Sequence, residues 1–312
     1  MNVMNSKALS CSRSRRGFVL VSVLMLGVLL ISCATAFSWF VRQQVRTVRS
    51  ERTNLMARSM AHVIVTSAMN LLTEISSHLD YDSPSQKWYK PFAVPVEDIG
   101  IVAVQITPLD DKIPLRNLFL PDGNTLRREF SEPLQKMWDN LRHRDLEQLL
   151  LDFMDTNTRP RVGSVERDNF INRPPYDMSE LLILSRDIPP DLLYGSGGVK
   201  GIEDYCTIYS DGRINLNVAP VHVMELLPGL DTGGLAERVA QVREEEPLSS
   251  LQDVEKIPGS SARISSRLTN IVAFKSRYFH VSITTVNEEG SGINFSIIFD
   301  RTTKQIVKWE ES

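Results

Sequence analysis

The sequence predicts an α+β protein: a long N-terminal helix packed on an antiparallel β-sheet, with a large all-α domain inserted between the strands. Three observations point there. An apolar run from Phe18 to Val41 continues into an amphipathic stretch with neither Gly nor Pro between Gly27 and Pro84. β-rich runs lie on both sides of a long block of helical spacing. The flanking runs are separated by short turn-forming segments of the kind that join neighbouring antiparallel strands.

Composition sets the bounds. The chain has 312 residues, 42% apolar and 23% charged, with a formal charge of −3, ordinary material for about two domains. Residues 1–17 carry Lys7, Arg13, Arg15 and Arg16 and no acid, so the remainder is more acidic than the total suggests. An acidic body argues against nucleic acid or anionic lipid as the main partner. Cys11 and Cys33 fall in the leader and the apolar run, leaving Cys206 alone in the rest. An internal disulfide there is excluded. Five scattered His and no close Cys/His spacing exclude an obvious zinc site.

The first element is the N-terminal helix. "SRRGFVL" resembles a twin-arginine export signal, "LISC" (Leu30–Cys33) a lipid-attachment box, and "ATA" (Ala34–Ala36) a secretory cleavage site. Against these stands continuity. Phe18–Val41 is 24 residues, beyond the roughly 7–15 of a signal core and enough to span a bilayer. Beyond it Arg42, Gln43, Gln44, Arg46, Arg49 and Arg52 are polar, then Ile64, Ala68, Leu71, Leu72, Ile75 and Leu79 recur at helical steps. A helix from Phe18 to about Leu79 would be ~90 Å long.

The β texture begins with "IGIVAVQITPLDDKIPLRNL", a strand over Ile101–Thr107 followed by a turn-rich stretch around Asp110–Pro114. After Pro121–Gly123 the spacing turns helical. Leu134, Met137, Trp138 and Leu141, then Leu146, Leu149, Leu150 and Phe153, read as core positions. After Lys275, "SRYFHVSITTV", "GINFSIIFDRT" and "KQIVKWEE" read as an antiparallel meander broken at Asn287–Gly292 and Asp300–Lys304.

A short basic leader ending in Gly17, then Phe18 and a span that continues into an amphipathic helix, resembles the type IV pilin and pseudopilin family. The resemblance implies prepilin peptidase cleavage between Gly17 and Phe18, N-methylation of Phe18, and a type IV pilin-like fold. It divides the chain into a leader (1–17), a transmembrane half-helix (18–41), a periplasmic half-helix with the first strand (42–120), the inserted α-domain (121–271) and the final strands (272–312). Most of the family carries Glu at the fifth mature position, where it pairs with a neighbour's N-terminal amine. Here that position is Ser22, and no acid occurs from Phe18 to Val41. A subunit without that carboxylate cannot neutralise the next amine, which suits the end of a fibre and not its shaft.

Within the family this departure is similar to the K-type minor pseudopilin of type II secretion systems. "LLLDFMDTNTRPRVGSVERDNFINRPPYDMSELLIL" follows a K-type pattern through Asp152, Asp155, Asn157, Gly163, Glu166 and Ser179-Glu180-Leu181. Phe153 stands for the usual Trp, Asn157 for an acid, and Ser164-Val165 separate the glycine from the glutamate. K-type proteins bind calcium, and Asp152, Asp155, Asn157 and Glu166 are hard oxygen donors of the kind Ca²⁺ takes; an acidic, capped helix end would look the same.

"INLNVAPVHVMELLPGLDTGGLAERVAQVREEEPLSSLQDVEKIPG" (Ile214–Gly259) resembles helix-hairpin-helix (SAM-like) modules that bind DNA. Asp231 falls in the turn that would approach a phosphate. Glu237, Glu244, Glu245 and Glu246 outnumber Arg238 and Arg243, against the clustered cations that counterion release needs. K-type proteins carry the same passage as a protein-interaction insert, and "FKSRYFHV" resembles their approach to the final sheet. The resemblance implies a non-enzymatic subunit at the tip of a pseudopilus. Its partners would be I- and J-type minor pseudopilins, the major pseudopilin, the prepilin peptidase and the inner-membrane assembly platform. It would cross the inner membrane once, with its bulk in the periplasm. A minor pilin of a type IV pilus is the neighbouring alternative, and an exported DNA-binding protein a more distant one.

Overall fold

The computed structural model describes residues 13–97, 99–286 and 292–312. Residues 1–12 of the expected leader and most of the Asn287–Gly292 turn therefore lie outside the described residues. Two compact units are distinguished, residues 1–58 and 59–312.

In the first unit, helix α1 runs from Arg13 and carries on into the second, ending at His78. It stops where Asp80, Asp82, Ser83 and Pro84 replace helix formers with turn residues. The stretch from Phe18 is long and apolar enough to cross a membrane. Its large apolar side chains, from Phe18 through Phe40, are exposed, which is consistent with a helix that crosses a bilayer.

In the second unit, the end of α1 buries Ala61, Val65, Ala68, Met69 and Leu72, a stripe at helical spacing. Five strands form the main sheet: β1 (Phe92–Val96), β2 (Gly100–Pro108), β7 (Tyr278–Val286), β8 (Asn294–Asp300) and β9 (Gln305–Glu311). Their order is β1-β2-β7-β8-β9, antiparallel throughout. Alternation sets the faces. Val102, Val104 and Ile106 of β2 pair with Thr285, Ile283 and Val281 of β7, and Ile283 and Val281 pair onward to Phe295 and Ile297 of β8. All are buried. Trp309 of β9 stacks on His62 of α1, ring centroids 4.2 Å apart.

Strand β1 corrects the sequence reading, which began the sheet at Ile101. "FAVPV" is short and contains Pro95, which cannot donate to a ladder, so it reads poorly as a strand. It is tolerated because β1 is an edge.

Between β2 and β7 the chain leaves the sheet. Two short parallel pairs frame the excursion: β3 (Ile113–Pro114) with β4 (Cys206–Thr207), and β5 (Ile214–Asn215) with β6 (Val272–Ala273). The helices are α2 (Arg128–Leu141), α3 (Glu147–Met154), α4 (Pro190–Tyr194), α5 (Ile202–Tyr205), α6 (Val221–Met224), α7 (Leu235–Glu245), α8 (Leu251–Glu255) and α9 (Ala262–Leu268). They enclose a core of their own, in which Phe130, Leu134, Met137, Trp138, Phe153 and Leu227 are almost fully buried. The helical positions expected from the spacing are therefore core.

Candidate functional site

Three places carry the chemistry that the sequence brings forward, and a fourth was not foreseen. At the expected processing point, Gly17 and Phe18 lie within the first turns of described helix. Four residues on, the hydroxyl of Ser22 donates to the Phe18 carbonyl at 2.9 Å. Ser32 and Thr35 turn back on their own helix in the same way, to Val28 and Ile31. A hydroxyl satisfied by its own backbone costs little in lipid. It also offers no charge to a neighbouring amine.

The second place is the C-terminal end of α3. Asp152 and Asp155 are both fully buried, and both bond Arg161. The Arg161 backbone N–H donates to the two Asp152 oxygens at 3.1 and 3.0 Å. Its Nη2 donates to Asp155 Oδ2 at 3.0 Å and to the Asn124 carbonyl at 2.5 Å. Asn157 goes elsewhere: its Oδ1 accepts from the Arg159 backbone at 2.7 Å and its Nδ2 donates to Asn124 Oδ1 at 2.9 Å. Both carboxylate oxygens of Glu166 are enclosed without a hydrogen-bond partner, as are Ser164 Oγ and Asn172 Oδ1. Among the described residues, no three His, Cys, Asp or Glu side chains come together as a group able to hold an ion. The residues expected as calcium ligands thus do not present one oxygen cage. Of the four, Asp152 and Asp155 share an arginine, Asn157 is spent on its own loop and Asn124, and Glu166 is enclosed with neither oxygen partnered.

The third place is the segment Ile214–Gly259, expected from the sequence to resemble a helix-hairpin-helix module. Both arginines of α7 are used internally. Arg238 donates to the Gly233 and Pro258 carbonyls at 2.6 and 2.8 Å, tying one hairpin turn to the other. Arg243 donates to the Ala219 carbonyl at 2.7 Å and to that of Leu216. Asp231 pairs with Lys136 at 2.9 Å. Glu237, Glu244, Glu245 and Glu246 remain on the surface, an outward field that repels phosphate.

The unforeseen place is the junction where the insert joins the sheet. Asp82, Asp110, Asn215, Ser276, Asp300 and Arg301 are buried there. Asp82 accepts from the Ser276 backbone at 2.7 Å and pairs with Arg301 at 2.9 Å. Asp110 accepts three backbone N–H bonds, from Asp211, Arg277 and Tyr278, at 3.0, 2.8 and 2.9 Å. Burial still pushes its carboxyl up to about 7. Asn215 Nδ2 donates to Ser276 Oγ at 2.9 Å. So the "INLN" and "SRYF" passages meet through their polar residues, and Asn217 ties the first of them to the segment between α7 and α8 by bonding the Leu248 backbone in both directions. A buried network satisfied to this degree fixes one geometry. A second tether joins insert and sheet at the surface, Lys308 of β9 to Asp177 at 2.7 Å. It holds the Asp177 carboxyl down at about 2. An open cleft of about 910 Å³ lies beside the junction. Much of its charged lining is already paired, Asp80 with Lys275 and Asp211 with Arg213.

No protein-family model matches the chain, and no curated protein matches it by sequence. Among solved structures, it is similar to a chain of the GspK-GspI-GspJ complex of the type 2 secretion system from enterotoxigenic Escherichia coli. The TM-score is 0.58 at 14% identity, over 86% of this chain and 99% of that one. At that identity the likeness is one of fold. It is the pilin-like fold of a long N-terminal helix on an antiparallel sheet, with added helices.

Proposed function

We propose that the chain is a K-type minor pseudopilin of a type II secretion system, a structural subunit at the tip of the pseudopilus. One combination of observations carries this reading: a pilin-like fold enlarged by an α-domain with its own core, on a membrane helix that carries no acid between Phe18 and Val41. The acid-free span lets the subunit sit where nothing packs beyond it. The inserted domain supplies bulk that would obstruct a further subunit, and the buried junction holds that bulk in a fixed place.

On this reading the prepilin peptidase cuts after Gly17 and Phe18 becomes the methylated N-terminus. I- and J-type partners join the chain in a tip complex, which starts assembly of the major pseudopilin at the inner-membrane platform. The body lies in the periplasm, and its role in export across the outer membrane is mechanical and not catalytic. The type II reading is favoured over a type IV pilus by the neighbour's own assembly, in which GspK, GspI and GspJ form one complex.

The test is intact mass measurement of the membrane-extracted protein together with co-purification. A chain beginning at N-methylated Phe18 that retains I- and J-type partners through purification is the expected result. A diacylated Cys33, or a full-length chain that retains neither partner, contradicts it.

A further inference from the structure

The carboxylates at the end of α3 already have a cation. Arg161 lies at the point where three segments meet: the end of α3, its own loop, and the turn at Asn124. Its Nε is 3.3 Å from Asp152 Oδ1 and 3.2 Å from Asp155 Oδ2, and its Nη2 reaches Asp155 and the Asn124 carbonyl together. The guanidinium also lies over the Phe119 ring, 5.4 Å from its centroid, so its flat face is covered while its edge donates. Calcium takes six to eight oxygens at about 2.3–2.6 Å. Asp152 and Asp155 cannot surround such an ion while sharing one guanidinium at 3 Å. Asn157, facing its own loop and Asn124, adds no free oxygen, and Glu166, whose two enclosed oxygens are unpartnered, does not come together with the two aspartates as a group able to hold an ion among the described residues.

We infer that Arg161 takes the place of a divalent cation at the end of α3, so that the loop from Asp155 to Asn172 closes on the inserted domain without metal. A guanidinium suits the task. It remains charged at any physiological pH, and its planar fork serves two carboxylates and a carbonyl at once. It differs from calcium in one consequence. The cation is covalently part of the chain, so closure of the loop is independent of the calcium concentration outside the cytoplasm. The exchange is incomplete in charge, since two buried acids face one base. Burial accordingly pushes the Asp155 carboxyl above its ordinary range, while Arg161 pulls it back. The inference concerns the inserted domain alone and stands apart from where the chain sits in a fibre.

The test uses the full chain in detergent, melted in chelator (EGTA), in CaCl2 and in MgCl2 at matched ionic strength. One Tm in all three is expected. A Tm that falls in EGTA and returns with CaCl2 overturns the inference. Three variants give a second, independent arm. Arg161→Gln strands two buried carboxylates and is expected to lower Tm by several degrees, with Arg161→Lys retaining part of the loss. Adding Asp155→Asn to Arg161→Gln should recover part of the stability, because one of the two stranded charges is gone. Arg161→Gln melting like the parent would overturn the assignment, and the chelator comparison decides the matter if that variant fails to fold.

Discussion

The membrane end of α1 and the end of α3 meet the same problem, a charged or polar group away from water, and solve it in opposite ways. Between Phe18 and Val41 the acid is absent and the remaining hydroxyls turn back on their own helix. At Asp152 and Asp155 the acids are kept, buried and held by Arg161. Lipid offers no place for a compensating base, whereas a folded domain can bring one from nine residues away. The span is left without charge, whereas the end of α3 keeps two buried acids on one base.

The largest expected effect comes from removing one side of a buried pair where compensation is internal. Asp82→Ala leaves Arg301 unpaired at the junction and should cost about 3–5 kcal/mol, read by chemical denaturation of the detergent-solubilised chain. A loss below about 1 kcal/mol would mean that the junction is not what holds the insert. Next is the reverse operation in the membrane. Ser22→Glu restores a carboxylate to a span that lacks one, and near the end of that span its insertion cost stays below the about 2.5–3.5 kcal/mol of a charge at a helix centre. The variant should insert less well and, once inserted, should crosslink above as well as below its own position in the pseudopilus. Crosslinks confined to one side would separate tip placement from the missing acid.

A smaller effect sharpens the contrast in the inserted domain. Glu166 is an enclosed carboxylate without a partner, and Glu166→Gln should raise stability by about 1 kcal/mol. A metal ligand would behave oppositely, with a loss that appears only in the presence of calcium. Smaller again is a slope in pH. With its folded value near 7, Asp110 holds a proton that the unfolded chain has released above about pH 4. Its contribution is therefore complete below that point and is lost as pH rises through about 7. Asp110→Asn should flatten the decline in Tm across this window, and an unchanged slope would show that the three N–H donors keep the acid ionised. The least change is expected from Ser22→Ala, within about 0.5 kcal/mol, since its hydroxyl bonds only its own helix.

What the sequence revealed follows from how local each feature is. Helix α1 was legible because nothing between Gly27 and Pro84 can break it, and its end at His78 falls one residue before the expected Leu79. Strands β2, β7, β8 and β9 were legible from alternation and turns. Strand β1 was missed because Pro95 counts against a strand unless its place at the edge is known. At the end of α3, the oxygen donors were visible by type. Their actual partner was not, because Arg161 looks like any charged loop residue until the chain folds back over Asp152. The junction was half visible. Asn215 and Ser276 sit in the two passages that carry the family resemblance, yet they lie 61 residues apart. Asp110 is joined to Tyr278 across 168 residues. Pairings over such distances depend on the insert having folded, and no local pattern records them.

The most direct measurement is immunogold labelling of sheared pseudopili, with an antibody against the inserted domain and electron microscopy as the readout. Gold at a single end of each fibre is the predicted result. Gold repeated along the shaft would contradict the account, because a subunit that carries this domain and lacks the span's acid would then be stacking on copies of itself.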